Sequence, residues 1–158
     1  MAQLKKTETK IITYLREDGR LPLTELSRKI KLPVSTIHDR LKGIIEQGII
    51  RPSVLINFEK IGFNTRAHIL LSAEPAEKEK LFTHLQAHPN VNSLYRINNG
   101  WNLIMECIFK DMPSLENFVE QIEQTFHIKQ KQVHYVLEDL KREDFLTKPD
   151  QAEKTFMS

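Results

Sequence analysis

Six side chains within eight residues hold most of the chemistry that this sequence offers. The stretch "STIHDRLK" places Ser35, Thr36, His38, Asp39, Arg40 and Lys42 on what the spacing predicts as one short helix. Hydroxyls, an imidazole and a guanidinium can bond to base edges or to phosphates when a helix lies in the major groove of a duplex. A solvated helix face has the same composition, and spacing alone gives the two readings about even weight. Other constellations say less. His84 and His88 are four apart, a spacing that can hold a metal on a helix. No Cys or third His stands near them in sequence, so exposed histidines near a helix C-terminus are the expectation, and no metal. Cys107 sits among Met105, Ile108 and Phe109, which predicts a buried, inert thiol. No nucleophile elbow or phosphate loop is present, so neither an enzyme nor a bound cofactor is expected.

The elements that position the six residues follow from hydrophobic period. Glu8 to Asp18 puts Ile11, Ile12 and Leu15 on one face, and Gly19 ends the run. Pro22 opens a second helix carrying Leu23, Leu26 and Ile30. Pro33 breaks it, and a third helix over 33–47 turns Ile37, Leu41, Ile44 and Ile45 inward. Two short helices joined by a few residues, the second rich in polar groups, fit a helix-turn-helix. "IIRPSVLINF" reads as extended, with Pro52 confining it to an edge or an irregular strand.

Beyond residue 62 the period changes. "TRAHILLSA", "VNSLYRI", "WNLIMECIF" and "KQVHYVLEDL" alternate, and "PAEKEKLFTHLQAH" and "MPSLENFVEQIEQTF" are helical. The order βαββαβ is that of a ferredoxin-like fold. Parity predicts a three-residue loop, Asn98-Asn99-Gly100, that pairs residue 97 with 101 and leaves Gly100 left-handed. It also places Val91, Tyr95 and Ile97 with the core. The opposite face then offers Leu70, Leu94, Ile104, Ile108 and Val136 among His68, Arg96, Glu106, His134 and Glu138, a mixed patch expected to be an oligomer interface. The expected organisation is a helix-turn-helix domain (1–50), a linker strand (51–62), a ferredoxin-like domain (63–146) and a loose tail (147–158).

Charge separates the same two parts. Residues 1–60 carry twelve Lys/Arg against seven Asp/Glu, a net of +5, and residues 61–158 carry eleven against fourteen, a net of −3, together the +2 of the whole chain. A basic first third predicts that this part meets a polyanion. No apolar run approaches the ~18 residues of a membrane span. The first ten residues lack the apolar core of a signal peptide, and the single cysteine cannot form an internal disulfide, so a cytoplasmic protein without membrane partners is expected.

Residues 4–62 resemble the DNA-binding half of the Lrp/AsnC, or feast/famine, regulators. The matching pieces are "KII" and "EDGR", "ELSRKIKL", "STIHDRLKGIIEQGII" and "INFEKIG". Residues 63–140 resemble that family's second half, a ferredoxin-like domain for assembly and amino-acid sensing. The resemblance implies an α+β protein of a bacterium or archaeon, with a winged-helix or helix-turn-helix domain followed by βαββαβ. It implies double-stranded DNA as partner, a homodimer and higher oligomers of dimers, and an amino-acid effector. Helix 33–47 would be the recognition helix, with Ser35, Thr36, His38, Asp39 and Arg40 toward the groove and Lys42 and Arg51 on phosphates. The effector loop would be Asn98, Asn99, Gly100, Trp101 and Asn102.

The chain departs from the family pattern in five places. Lys31 stands where the family has Gly, Pro33 where it has a Ser cap, and Asn99 and Asn102 where it has Gly and Asp. The Gly-Val before the last strand is replaced by "FHIKQKQ". The loss of a carboxylate at Asn102 removes a charged partner for a ligand ammonium. RNA binding by the sheet is the rival reading. It is disfavoured because Trp101 and Phe109 fall on the core face and Glu106 on the other.

Overall fold

A computed structural model describes residues 4–148, so the expected tail over 147–158 lies almost wholly outside the described residues. The described residues form two compact units, one of residues 4–55 with 140–148 and one of residues 56–139.

The first unit holds α1 (Lys6–Glu17), α2 (Leu23–Ile30) and α3 (Val34–Glu46). Ile11, Ile12, Leu26, Ile37 and Ile44 are buried together, with Leu15, Leu23, Ile30 and Leu41 packed around them. These are the residues that helical spacing brings to one stripe on each helix. Ile45, expected inward, lies at the edge of that stripe and is 37% exposed. Two threonines join the core. Thr13 is fully buried and its hydroxyl donates to Thr9 O at 2.9 Å, which satisfies that hydroxyl.

The expected linker strand does not form. Residues 51–57 adopt no regular strand, and residues Glu59–Ile61 make a 3-10 turn closed by Gly62 at φ 90°. A strand needs a neighbour to satisfy its backbone, and Pro52 contributes no N–H to a ladder.

The second unit is a four-stranded antiparallel sheet in the order β2-β3-β1-β4, from β1 (Thr65–Ala73), β2 (Val91–Arg96), β3 (Leu103–Phe109) and β4 (Ile128–Tyr135). Helices α4 (Lys78–Ala87) and α5 (Met112–Thr125) cover one face. The core takes alternate residues of β1 and β3 with Leu81, Phe82 and Leu85 of α4 and Leu115, Phe118, Val119 and Ile122 of α5. Asp111 caps α5 by accepting from Ser114 N at 2.9 Å.

The β2–β3 hairpin corrects two expectations. Arg96 pairs with Leu103 and Ile97 N donates to Asn102 O, so the loop has four residues, 98–101. Asn99 (φ 62°) and Gly100 (φ 90°) both take the left-handed conformation, and Asn is among the few residues that do so at little cost. The register also shifts between Val91 and Ser93. That bulge reverses the facing of β2. Leu94 pairs with Met105 and packs on the core, whereas Tyr95 pairs with Ile104 on the open face and is 60% exposed. Arg96 likewise turns to α4, where its guanidinium lies over the Phe82 ring at 4.0 Å.

Candidate nucleic-acid interface

The turn between α2 and α3 is built from backbone geometry. Lys31 ends α2 in the left-handed conformation (φ 60°, ψ 47°), at the position where a glycine would be unstrained. Its N–H and that of Leu32 both donate to Ser27 O, and the Ser27 hydroxyl donates back to Leu32 O. Pro33 then precedes α3 in an extended conformation and supplies no side-chain cap bond. Ser27 therefore closes the turn that sets the angle between the two helices. Sequence reasoning missed it, although a hydroxyl five residues before a helix-breaking Leu-Pro is a visible cue.

With Ile37, Leu41 and Ile44 inward, the opposite ridge of α3 carries Ser35, Asp39, Lys42 and Glu46, all exposed. Lys42 Nζ lies 3.8 Å from Glu46 Oε1, and both ends are solvent-facing. His38 is exposed on one flank, with Nδ1 at 3.4 Å from Asp39 Oδ1. Thr36 is half-buried on the other flank. Arg51, just beyond the helix, is exposed.

Arg40 departs from its expected place. Its Nη1 lies 3.6 Å from Glu8 Oε1 on α1, and its side chain is 32% exposed. Its Nε is buried without a hydrogen-bond partner. Arg40 thus ties α3 to α1 and does not lie along the outward ridge. Glu8 also accepts from Lys5 N at 2.8 Å, closing the first turn of α1. A tie across 32 residues of sequence has no local spacing signal.

On the sheet, Asn102 is already engaged. Its N–H donates to Leu71 O at 2.9 Å and its Oδ1 accepts from Ala73 N at 2.8 Å. The side chain thereby holds the end of β1 at the point where β1 slips register against β4. Asn98, Asn99 and Gly100 are exposed and Trp101 is half-buried. On the open face, Leu70, Ile104 and Val136 are half-buried, and Ile108 is already buried by its own chain at 7% exposure. Among them Arg66 bridges Asp139, in a two-bonded pair, and Glu106, 3.6 Å from its Nε. Cys107 is buried on the other face. Burial and the nearby Glu106 push its thiol up to about 12, which makes it unreactive. Among the described residues no three metal-ligating side chains cluster, and no helix is long and apolar enough to cross a membrane.

A helix-turn-helix with a polar outward ridge, joined to a small antiparallel α+β domain, defines a two-domain DNA-binding regulator. Family comparison agrees on both halves. Residues 4–51 match a winged helix-turn-helix DNA-binding domain, and residues 66–145 match the Lrp/AsnC ligand binding domain. The chain belongs to the Lrp/AsnC family of transcription regulators. It is 33% identical to an HTH-type transcriptional regulator of Pyrococcus horikoshii over 74% of this chain and 75% of that one. It is 29% identical to the regulator FL11 of Pyrococcus furiosus over 75% and 80%. A transcriptional regulator of Neisseria meningitidis, solved as a complex with L-Met, superposes with a TM-score of 0.80 at 28% identity, covering 88% and 93%. LrpC of Bacillus subtilis shares the fold, with a TM-score of 0.80 at 23% identity over 89% and 99%. The RNA-binding alternative finds no support: Phe109, which would have to stack bases, is 6% exposed.

Proposed function

We propose that α3 enters the major groove with Ser35, Asp39 and Lys42 outermost and Thr36 and His38 on its flanks. Lys42 and Arg51 contact phosphate, and Asp39 accepts from a cytosine amino group. Arg40 acts from behind, by bracing α3 against α1. The observation that carries this reading is the exposed polar ridge opposite Ile37 and Ile44, within a part of the chain that has a net charge of +5. Selection of bound sequences from a random duplex library tests it. Enrichment of a pseudo-palindrome is the expected result, and failure to enrich any duplex sequence overturns it.

Copies of the chain associate through the open face of the sheet, at Leu70, Ile104 and Val136, and dimers join into larger cytoplasmic assemblies. A dimer presents two α3 helices about one helical turn, roughly 34 Å, apart. The sheet domain takes a small-molecule effector, and the L-Met complex of the Neisseria regulator makes an amino acid the class to test first. Asn102 carries no charge for a ligand ammonium and its amide oxygen is committed to Ala73 N. Amino acids therefore bind more weakly than micromolar. A calorimetric titration with each of the twenty checks this, and one micromolar ligand contradicts it.

A further inference from the structure

The chain passes between its two units twice, at residues 55–56 and again at 139–140. The second passage is pinned on both sides by an arginine. On the sheet side, Arg66 of β1 holds Asp139 through both carboxylate oxygens, just beyond the point where Val136 N donates to Arg66 O at 2.9 Å. On the other side, Arg16 in the last turn of α1 uses all three guanidinium nitrogens. Nε donates to Phe145 O at 3.0 Å, Nη2 to Glu143 O at 2.7 Å, and Nη1 to Glu143 Oε2 at 3.2 Å. Only residues 140–142 lie between the two pins.

The segment is shaped to receive Arg16. Glu143 (φ 51°) and Leu146 (φ 62°) both take the left-handed conformation, which is unfavourable for either residue unless surrounding contacts hold it. Asp144 gathers the rest of the turn, accepting from Thr147 Oγ1 at 2.7 Å and pairing with Lys141 Nζ at 2.9 Å. Bonds from one guanidinium to two carbonyl oxygens and a carboxylate fix position as well as charge, which a lysine in the same place cannot do.

We infer that residues 139–147 form a strap, clamped by Arg16, that makes a second connection between the sheet domain and the DNA-binding domain and limits the freedom of the latter. A domain on one linker samples many orientations, and each must be given up when two half-sites are occupied together. A second, clamped connection removes part of that cost beforehand. The strap thus strengthens binding to paired half-sites without touching DNA. This rests on the proposed reading of α3 and of the dimer.

Full-length protein and its Arg16→Ala and Arg16→Lys variants test the strap. Hydrogen exchange by mass spectrometry should show amides 143–147 of both variants exchanging about tenfold faster, with β1 and β3 unchanged. Affinity is then measured on the duplex that the wild-type protein selects from a random library, whole and cut to one half-site. Both variants should lose on the order of tenfold on the whole duplex and less than about twofold on the half-site. Unchanged exchange at 143–147 overturns the strap. So does an equal loss on both duplexes, which marks Arg16 as a phosphate contact or a folding residue, and so does wild-type behaviour of Arg16→Lys. If no duplex is selected, the reading of α3 fails, and the exchange measurement alone decides whether the clamp exists.

Discussion

Arg40 of the third helix and Glu8 of the first face each other at 3.6 Å, with side chains 32% and 19% exposed. This pair braces α3 against α1 in the orientation that the buried Ile37 and Ile44 impose, so it steadies the outward ridge without forming part of it. Replacing Arg40 by Ala should destabilise the protein by about 1 kcal/mol, and a double-mutant cycle with Glu8→Ala should return a coupling of roughly 0.5–1 kcal/mol. Its effect on DNA should be a uniform loss on all sequences. A loss concentrated at one base position would return Arg40 to the groove.

Lys31 holds a left-handed backbone that a side chain disfavours. Lys31→Gly should raise stability by about 1 kcal/mol, since glycine enters this region without the steric penalty. Thermal unfolding checks the sign. A lowered midpoint would mean that the Lys31 side chain makes up for the strain.

Leu94 and Ile104 lie on opposite faces of the sheet, a consequence of the bulge in β2. Leu94→Glu should therefore cost about 2–4 kcal/mol of stability, because it drives a charge into the core. Ile104→Glu should leave the fold intact and lower the mass seen by sedimentation. An unchanged mass would remove the sheet face from the assembly.

His88 packs on the Phe118 ring at 4.5 Å, next to His84, and accepts from Asn90 N through Nδ1. Burial, and secondarily the charge of His84, hold it below its ordinary value of 6.5. In acid the unfolded chain then binds a proton more readily than the folded one, so stability rises with pH across this window. Its contribution is complete above pH 6.5 and declines as pH falls from 6.5 through the lower folded value. Urea unfolding at pH 7.5 and below pH 6 should show the drop, and His88→Gln should flatten it. An equal drop in that variant assigns the effect elsewhere.

Much of the fold was legible because local period and core burial agree. Leu81, Phe82 and Leu85 of α4, and Leu115, Phe118, Val119 and Ile122 of α5, are buried as their spacing requires. Pro33 showed where α2 must stop. What escaped was non-local. The bulge after Val91 moves Leu94 and Tyr95 to opposite faces, and nothing in an alternating sequence marks one extra residue. The Glu8–Arg40 tie and the Arg16 clamp join residues 32 and about 130 positions apart, beyond any helical or strand spacing. Asn102 was legible as a departure from the family pattern, but its role in holding Ala73 depends on the register of β1.

The outward ridge of α3 is tested most directly by measuring, on the selected operator and on a scrambled duplex, the affinity and salt slope of Asp39→Ala and Lys42→Ala. Asp39→Ala should relax preference at one position of each half-site by roughly 1–3 kcal/mol, and Lys42→Ala should weaken both duplexes alike and reduce the salt slope by about 1. Wild-type affinity, slope and selectivity in both variants would contradict the account.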